Sequence, residues 1–543
     1  MRLFKALLIA VAVSMFWVAA DHAQSPGSTT FVSADGFTVS PSGPWQPLAG
    51  PLPFYPDTAL LLTDGRVLAQ DYGTPNWWTL TPDQYGSYSN GTWKQVASTP
   101  NAYAPYDYCS AVLADGRVVV LGGEYTYDAN GNATGSETNL GAIYDPVHDS
   151  WSTLAPPPDP VTGVWTHIGD ASCNVASNGK LLLARNSGTP GGQVAALDPA
   201  TLTWTVYTPS GKIGGNGEEN WTLLPDGSIF TVDVGRNVPN AERYLPPALT
   251  GSMDGEWISA GMTPYPVALN RGSEMGPQVL RPDGTVFAVG ATGANAVYVP
   301  PTTLFGTGTW LTAPSFPLSP VNGQQLDVCD GVGILLTNGN VLTGASPGCY
   351  NIDDYFFEFD GQNLNAVTRP SFGPYISSFW DRLLMLPSGQ TLVTYDNNDA
   401  ELYNSTGAPN PSWAPTVTEY PQHVKPGQTY AVSGTQFNGL SEGNNYGDDE
   451  SAATNYPLVR LTNHVSCRVT YARTHDHSTM GVATGRAIVS TSFDMPSSAD
   501  PGPSYLQVVA NGIASQPVTV IVNGPSSSHE PVGPPPKGGC SIQ

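Results

Sequence analysis

The sequence predicts an all-β protein: a seven-bladed β-propeller followed by an Ig-like β-sandwich. Three observations support this prediction. Glycine and proline together make up 110 of the 543 residues and only 12% of the chain is charged, which disfavours long helices and favours frequent turns. One hairpin pattern recurs seven times along most of the chain. The repeat stops after Trp413, where a differently patterned segment rich in alternating apolar residues begins.

The repeated unit consists of an apolar strand, a tight turn and a second apolar strand. Asp-Gly or Asn-Gly forms most of the turns, as in two-residue hairpin turns whose central positions need positive φ. An aromatic or apolar residue and then, usually, a tryptophan follow each hairpin, as with Tyr144 and Trp151. Four strands per unit at this spacing are typical of kelch propeller blades, although an array of sandwich domains is the structural alternative. The turn glycines, 48 to 63 residues apart, are Gly65, Gly116, Gly179, Gly227, Gly284, Gly339 and Gly389.

The two ends of the chain differ from the repeats. Residues 1–20 read as a secretory signal peptide, because Arg2 and Lys5 precede a run of apolar residues that is too short for a membrane span. Residues 21–44 form an N-terminal segment, the propeller is predicted over 45–415, and the sandwich over 416–523. Residues 524–543 lack apolar periodicity and are predicted to be a disordered tail. We therefore expect a secreted, monomeric protein.

The charge and the cysteines limit the partners and the cross-links. A net charge of -24 repels nucleic acid and anionic membranes, so we expect neither as a partner. A carbohydrate, another neutral small ligand or a bound metal fits better. Cys329 and Cys349 lie ten residues either side of Gly339, at the ends of an apparent hairpin, which predicts a local disulfide. The pairing of the other cysteines stays open. These cysteines are Cys109, Cys173, Cys467 and Cys540, the last in the predicted tail.

From about residue 25 to 523, this order of domains resembles the galactose oxidase and glyoxal oxidase family of copper-radical oxidases. The resemblance implies a kelch propeller and a C-terminal Ig-like domain of the early-set type. In that family two tyrosines and two histidines bind copper, and one tyrosine is thioether-linked to a cysteine. Cys109, seven residues before Gly116, matches the family's cysteine, and His475 after Thr474 matches one histidine.

The other family ligands are not matched. Asp170 stands where the cross-linked tyrosine would be, and Phe379 and Trp380 stand where a Tyr-His pair would be. We therefore expect no Tyr-Cys cross-link, no phenoxyl radical and no alcohol oxidation by the family mechanism, unless other tyrosines fill these positions. The candidate tyrosines for these positions are Tyr55, Tyr108 and Tyr375.

Every hairpin also carries a carboxylate eight to ten residues before its turn glycine. Because inner strands of propeller blades start at one mouth of the central channel, these carboxylates are predicted to ring that mouth. They cannot all stay ionised without a cation, so some are protonated or a cation lies among them. The alternative is that most accept hydrogen bonds from their own turns. The carboxylates are Asp57, Asp107, Asp170, Glu219 with Glu218 beside it, Glu274, Asp330 and Asp381.

Two histidines in the sandwich extend this prediction. Alternate residues of a strand point to one face, so His475 and His477 can present both imidazoles together, although an ordinary pair of surface histidines has the same pattern. If the sandwich covers the mouth, these histidines meet Asp170 and Asp381 in a metal site. Oxygen ligands alone favour calcium or magnesium, whereas added histidines favour zinc, manganese or copper. Asp170, Asp381 and His475 are the candidate catalytic residues.

Two functions are compatible with these residues. The first is an exported protein that recognises extracellular carbohydrate, with aromatic rings stacked on sugars and carboxylates bonded to hydroxyls. The second is a metal-dependent oxidoreductase or lyase acting on carbohydrate through a rebuilt His/Asp site. Trp380 in place of a metal ligand favours the first, and the His-x-His pattern favours the second. The candidate substrate-binding residues are Trp380, Asp107, Asp330 and Glu274, and the other candidate rim aromatics are Trp77, Trp78 and Trp165.

Overall fold

A computed structural model describes residues 44–128, 131–169, 171–186, 192–234, 239–269, 274–395, 397–446 and 451–524. Within these ranges the chain is almost wholly strand, turn and loop, so the all-β prediction is confirmed. No helix of the described residues is long and apolar enough to cross a membrane. The predicted signal peptide, most of the N-terminal segment and nearly all of the predicted tail lie outside the described residues. The described helices are one short α-helix, α1 (Pro247–Thr250), and 3₁₀ turns at Pro100–Ala102, Gly373–Tyr375, Ser378–Trp380 and Pro411–Trp413.

Seven antiparallel sheets occupy most of the described chain, and we call them ring sheets 1 to 7. Six of them have four strands, and sheet 6 has two strands in addition to its four. Each predicted hairpin forms the first two strands of one ring sheet, and the strand that precedes the turn is its inner strand. Sheet 7 takes its fourth strand from the start of the described chain, where Trp45 pairs with Tyr403. The strands up to the end of sheet 7, in chain order, are β1 (Trp45–Pro47), β2 (Pro56–Leu61), β3 (Val67–Asp71), β4 (Trp77–Thr81), β5 (Thr92–Val96), β6 (Pro105–Tyr106), β7 (Cys109–Val112), β8 (Val118–Leu121), β9 (Tyr125–Tyr127), β10 (Ala133–Ser136), β11 (Gly141–Asp145), β12 (Ser150–Thr153), β13 (Pro158–Asp159), β14 (Gly163–Val164), β15 (Cys173–Val175), β16 (Leu181–Ala184), β17 (Val194–Asp198), β18 (Thr203–Tyr207), β19 (Thr222–Leu223), β20 (Ile229–Val232), β21 (Asn240–Leu245), β22 (Glu256–Met262), β23 (Gln278–Leu280), β24 (Val286–Ala288), β25 (Ala296–Val299), β26 (Thr309–Thr312), β27 (Leu326–Asp327), β28 (Gly333–Leu335), β29 (Val341–Pro347), β30 (Tyr355–Phe359), β31 (Leu364–Ala366), β32 (Arg382–Met385), β33 (Thr391–Thr394) and β34 (Ala400–Tyr403).

The hairpin turns differ from the predicted two-residue type. In each of the seven turns only the glycine has positive φ, between 79° and 91°, while the residue before it does not. In sheet 1 the amide of Gly65 donates to Leu62, and the amide of Leu62 donates to the carbonyl of Arg66. This is a three-residue loop with a bulge at glycine. The Asp64 carboxylate accepts from the amide of Arg66, which explains the recurring Asp-Gly and Asn-Gly pairs.

The ring sheets follow one another in a closed order. The inner strands of neighbouring sheets lie side by side, including those of sheets 7 and 1. Ser172 of sheet 3 bonds to Glu219 at the start of sheet 4, which joins the remaining pair. Four of the recurring tryptophans link neighbouring sheets, because their indole N–H groups donate to carbonyls in or next to the preceding sheet. These bonds run from Trp151 to Ala97, Trp204 to Ala155, Trp257 to Gly192 and Trp310 to Ala260.

The rest of the chain forms a second all-β unit. Strand β40 pairs with β41 at one end and with β39 at the other, so it joins two half-sheets whose apolar faces pack in one cluster. Except for the parallel pair β36 and β44, its neighbouring strands are antiparallel. The strands are β35 (Thr416–Glu419), β36 (His423–Val424), β37 (Thr429–Thr435), β38 (Asn444–Asn445), β39 (Leu458–Asn463), β40 (Val469–His475), β41 (Val489–Asp494), β42 (Gly502–Ala510), β43 (Ile513–Ala514) and β44 (Val518–Val522).

One segment of this unit enters the ring. Residues 442–446 and 451–456, the channel segment, contact an inner strand of every ring sheet or the residue next to it, so the segment lies in the central channel. Strand β38 pairs with β28 of sheet 6. Its hydrogen bonds with the other six sheets include those of Tyr456 with Leu61, Ser451 with Ser110, Glu442 with Asn174 and Leu223, Asn445 with Gln278, and Asn444 with Leu383.

Disulfides cross-link the ring at two places. Cys109 pairs with Cys173, which joins the inner strands of sheets 2 and 3. Cys329 pairs with Cys349, as the sequence predicts. Cys467 is disulfide-bonded as well, and Cys540 lies outside the described residues.

Candidate functional site

An aromatic group lies at the end of the ring where the inner strands begin, which we call the mouth. Tyr72 packs against Trp380 with their ring centroids 5.8 Å apart and against Tyr106 at 5.3 Å. Tyr106 lies 6.1 Å from Trp380, and Phe379 lies 4.4 Å from Trp380. The hydroxyls of Tyr72 and Tyr127 are 2.8 Å apart. These five residues are the aromatic group.

The aromatic group is anchored in the interior and open at its surface. Tyr106 is fully buried, whereas Tyr72, Tyr127 and Trp380 are partly exposed. Burial, followed by the nearby Asp107 carboxylate, raises the pKa of the Tyr106 hydroxyl well above its usual value, so it stays protonated. The group therefore offers fixed, neutral aromatic surface to solvent.

Three carboxylates converge beside this aromatic surface. One oxygen from each of Glu218, Glu274 and Asp330 lies within 4.8 Å of the others, and we call these residues the acidic trio. They precede the inner strands of sheets 4, 5 and 6. Tyr350 joins the trio to the aromatic group, since its hydroxyl donates to Asp330 and its ring lies 5.1 Å from Phe379.

The predicted ring of seven carboxylates is thus only partly correct. Asp57 pairs with Arg382 at 3.0 Å, and Glu219 pairs with the buried ammonium of Lys212 at 2.7 Å. Asp107 adopts a left-handed conformation next to Tyr106, so it remains near the mouth. Asp57 and Glu219 are therefore each held by a cationic side chain of their own. Asp170 lies outside the described residues.

Asp381 faces another carboxylate instead of a histidine. Asp381 and Asp354 are both fully buried, and a Cβ at Gly344 would lie 2.5 Å from an oxygen of Asp381 and 2.8 Å from both oxygens of Asp354. Burial raises the pKa of Asp354 to about 7, and burial together with Asp354 raises that of Asp381 well above its usual value. The two groups therefore share a proton near neutral pH. Because both side chains are fully buried, neither contacts a ligand at the surface.

The predicted arrangement of His475 and His477 is wrong. Strand β40 ends at His475, and Asp476 adopts a left-handed conformation, so the alternation needed for a shared face is broken. Nδ1 of His475 lies 2.7 Å from Asp476, and Nε2 lies 3.2 Å from Asp494. His477 is buried with Nδ1 2.9 Å from Thr491, and burial lowers its pKa to about 3.

These histidines also lie at the wrong end of the ring for the predicted metal site. The amide of Thr474 donates to Thr63, which follows the inner strand of sheet 1 at its turn end. Asp57 at the start of the same strand pairs with Arg382, the neighbour of Asp381. From Asp57 to Thr63 the chain spans about 20 Å at the ordinary strand rise per residue. His475 and Asp381 therefore cannot bind one ion together.

Two further sequence predictions concern the cysteine and the rim tryptophans. Cys109 forms a disulfide with Cys173, so its sulfur is not linked to a tyrosine. Trp77 and Trp165 are fully buried in the core rather than at a rim, and Trp78 stacks on Phe54. Trp380 alone of the four tryptophans belongs to the aromatic group.

Several residues of the mouth were missed from the sequence. Tyr72 directly follows the second strand of sheet 1, and Tyr127 lies in the insertion after the second strand of sheet 2. The stretch Glu-Tyr-Thr-Tyr at 124–127 was the available signal, because tyrosines in a loop between apolar strands have no core to fill. Tyr350 and Asp354 sit in irregular backbone and carry no pattern that separates them from other loop residues.

The comparisons with known proteins agree with the repeats. No family model matches the chain. The Kelch-like protein terF of Aspergillus terreus is 26% identical over 286 residues, which cover 47% of this chain and 54% of that protein. The matched part thus spans about half the length of that relative. This similarity supports kelch-type repeats.

Solved structures resemble the chain weakly. A GH74 enzyme of Niastella koreensis is 13% identical with a TM-score of 0.44, and the match covers 87% of this chain and 74% of that one. The extracellular domain of a hybrid two-component system from B. thetaiotaomicron is 10% identical with a TM-score of 0.42, covering 89% of this chain and 59% of that one.

Proposed function

We propose that this protein is an exported seven-bladed kelch-type propeller, residues 45–415, with a C-terminal Ig-like sandwich, residues 416–523, and that it binds neutral carbohydrate at the mouth. The seven ring sheets and the kelch-like relative support the architecture. The signal-like residues 1–20 support export. The resemblance to galactose oxidase supports a related architecture without its radical chemistry.

The partial exposure of Trp380 within the aromatic group is the observation that carries the proposed function. Trp380 is held by Tyr72, Tyr106 and Phe379, so its ring is already oriented before a ligand arrives. The apolar faces of sugar rings stack on such surfaces, and pre-orientation lowers the entropic cost of binding. Asp107 beside Tyr106 and the acidic trio next to Phe379 supply acceptors for sugar hydroxyls.

A divalent cation fits the acidic trio better than it fits the histidines. The trio offers oxygen ligands only, which suits calcium rather than copper or zinc. The alternative of an oxidoreductase or lyase with a His/Asp site has no specific support, because His475 lies at the turn end of the ring. We therefore propose carbohydrate binding as the function of the mouth, with a metal as an optional component.

We expect Trp380→Ala to weaken carbohydrate binding at least about tenfold, which corresponds to about 1.4 kcal/mol. The substitution removes the central stacking surface while leaving the ring sheets intact. Cello-, xylo- and galacto-oligosaccharides are suitable probes, with affinity measured by isothermal titration calorimetry. If wild type binds none of these probes, or if the variant binds them equally well, the proposed function is wrong.

Phe305→Ala is the matched control for this experiment. Phe305 is 62% exposed and lies between the third and fourth strands of sheet 5, at the turn end of the ring. Loss of its ring removes exposed aromatic surface far from the mouth. We expect Phe305→Ala to bind the same oligosaccharides as tightly as wild type.

A further inference from the structure

A buried carboxyl group lies against one of the two disulfides that cross-link the ring. Oδ1 of Asp327 lies 3.8 Å from the sulfur of Cys329, and a carboxylate oxygen and both cysteine sulfurs lie within 4.8 Å of one another. Asp327 and Cys329 are buried, whereas Cys349 is partly exposed in a surface loop. The bridge therefore joins a partly exposed cysteine to a buried cysteine that has an acid beside it.

We propose that Cys329–Cys349 is a site of thiol–disulfide exchange with an external dithiol, in which Cys349 is attacked and Asp327 protonates the sulfur of Cys329 as it leaves. The exposure of Cys349 sets the direction of attack, because a thiolate must approach an accessible sulfur. Asp327 is the proton donor because its carboxyl oxygen lies next to the sulfur of Cys329, which is the leaving sulfur.

The reaction balances in two steps. A thiolate of the dithiol forms a bond to the sulfur of Cys349, the disulfide bond breaks, and its electron pair goes to the sulfur of Cys329, which takes the proton of Asp327. The second thiol of the reductant loses its proton and attacks the mixed disulfide. The reductant leaves as a cyclic disulfide, oxidised by two electrons, and the sulfur of Cys349 takes up a proton. Asp327 regains a proton from solvent.

The surroundings of Asp327 suit this role. Burial raises the pKa of Asp327 to about 7, and the backbone amide of Cys349 lowers it in part by donating to the carboxylate. No charged side chain contributes to this shift. At pH 6 the group is therefore mostly protonated and can donate, whereas at pH 9 it is ionised and cannot.

The second disulfide provides an internal comparison. Cys109 and Cys173 lie on adjacent inner strands, and both are buried in the core. A thiolate reaches neither sulfur unless the ring opens. The two bridges therefore differ in accessibility within one folded molecule.

Opening the bridge also affects the mouth, an inference that rests on the proposed function. Tyr350 follows Cys349 directly and contacts both Asp330 and Phe379. Tyr350 and Asp353 have left-handed backbone conformations, with φ of 66° and 95°. Such conformations need support from their surroundings. Without the bridge the loop loses one anchor, so we expect Tyr350 to leave its place between the acidic trio and the aromatic group.

The first test compares the two bridges in the folded wild-type protein. The protein is treated with dithiothreitol without denaturant, sampled over time, alkylated with iodoacetamide and digested for mass spectrometry. We expect Cys329 and Cys349 to be labelled at least about tenfold faster than Cys109 and Cys173. Equal rates, or labelling of Cys329 and Cys349 only after denaturation, would overturn the proposal. This readout does not depend on any carbohydrate.

The second test examines the proton donor. Asp327→Asn keeps the shape of the side chain but cannot donate a carboxyl proton. We expect reduction of Cys329–Cys349 to be about tenfold slower in this variant at pH 6 and nearly unchanged at pH 9, an effect smaller than that of many enzymatic acids. The ratio of wild type to variant at each pH cancels the ionisation of dithiothreitol. A ratio independent of pH would exclude Asp327 as the donor.

The third test connects the bridge to the mouth. Cys329→Ser with Cys349→Ser removes the bridge permanently, and its affinity for the oligosaccharide bound by wild type is measured by calorimetry. We expect affinity to fall at least about threefold, because Tyr350 is no longer held. Unchanged affinity would exclude control of the mouth by the bridge. Absence of binding in wild type would instead contradict the proposed function and leave the labelling result standing.

Discussion

Lys212→Met is expected to destabilise the protein by about 3–5 kcal/mol, the range found when one partner of a buried ion pair is removed. Only 2% of the Lys212 side chain is exposed. Its ammonium lies 2.7 Å from Glu219, 2.9 Å from Glu242 and 3.4 Å from Asp233, all of them buried. It also lies 4.4 Å from the centre of the Trp257 ring. The midpoint of urea unfolding measures the loss.

The charge balance of this cluster explains the size of the effect. Burial by itself lowers the pKa of Lys212, but Glu219, Asp233 and Glu242 raise it more, so the amine stays charged. Burial and then Glu219 raise the pKa of Asp233 to about 9, so this carboxyl is protonated at pH 7. Methionine fills the space of the lysine but leaves the buried carboxylates without their cation.

Two further variants distinguish lost charge from lost packing. Lys180→Met removes a surface lysine that lies 3.6 Å from Asp198, with both side chains about one-third exposed. Such pairs contribute about 0–1 kcal/mol, so we expect little change. Adding Glu242→Gln to Lys212→Met should recover part of the stability by removing one uncompensated carboxylate. If Lys212→Met and Lys180→Met unfold at the same urea concentration, the buried cluster does not stabilise the fold.

Acidification from pH 8 to pH 6 is expected to stabilise the protein by at least about 2 kcal/mol. Burial raises the pKa of Asp327, Asp354 and Glu442 to about 7, and burial with Glu219 raises that of Asp233 to about 9. Each group keeps its proton in the folded protein at pH values where the unfolded chain has lost it. Folding therefore takes up protons between about pH 4 and these raised values, and stability falls as pH rises through that window.

One histidine acts in the opposite direction. Burial lowers the pKa of His477 from 6.5 to about 3, so the unfolded chain binds a proton there that the folded protein does not. This difference lowers the free energy of unfolding as pH falls below about 6.5. Between pH 8 and pH 6.5 the buried carboxyl groups determine how the free energy of unfolding changes. Stability should therefore rise steeply between pH 8 and pH 6.5 and more slowly below it.

Urea unfolding followed by tryptophan fluorescence at several pH values measures this dependence. Asp354→Asn is the informative variant, because it removes one of the carboxyl groups that share a proton. We expect its stability to change less between pH 8 and pH 6 than that of wild type. Stability that is constant or increases from pH 6 to pH 8 in wild type would show that these buried carboxyls ionise without cost.

The local hairpins were predictable from the sequence because their causes are local. Gly65 and its six counterparts adopt positive φ next to an Asp, Asn or Ser side chain that caps the following amide. Residues within a five-residue turn determine this geometry, and alternating apolar residues determine which strands it joins. The prediction of both central positions at positive φ was wrong because a bulge at glycine needs only one.

The site was less predictable, because it depends on which loops meet across the ring. Spacing from a turn glycine located Asp330, Glu274 and Trp380 near the mouth, since the inner strands share one direction. The same spacing failed for Asp381, which turns toward Asp354 in the neighbouring sheet. It also failed for His475, because the sandwich packs its histidines against the turn end of the ring.

By itself the sequence determined the all-β class, the seven hairpins, the Cys329–Cys349 bridge and a carboxylate at each strand entrance. These features depend on residues close together in the chain, whose backbone preferences and short loops leave few alternatives. Only the tertiary structure decided that Tyr72 and Tyr127 join Trp380, and that Glu442 enters the central channel. Such contacts join residues at least 55 positions apart, and they are selected by the combined packing of all ring sheets rather than by any local pattern.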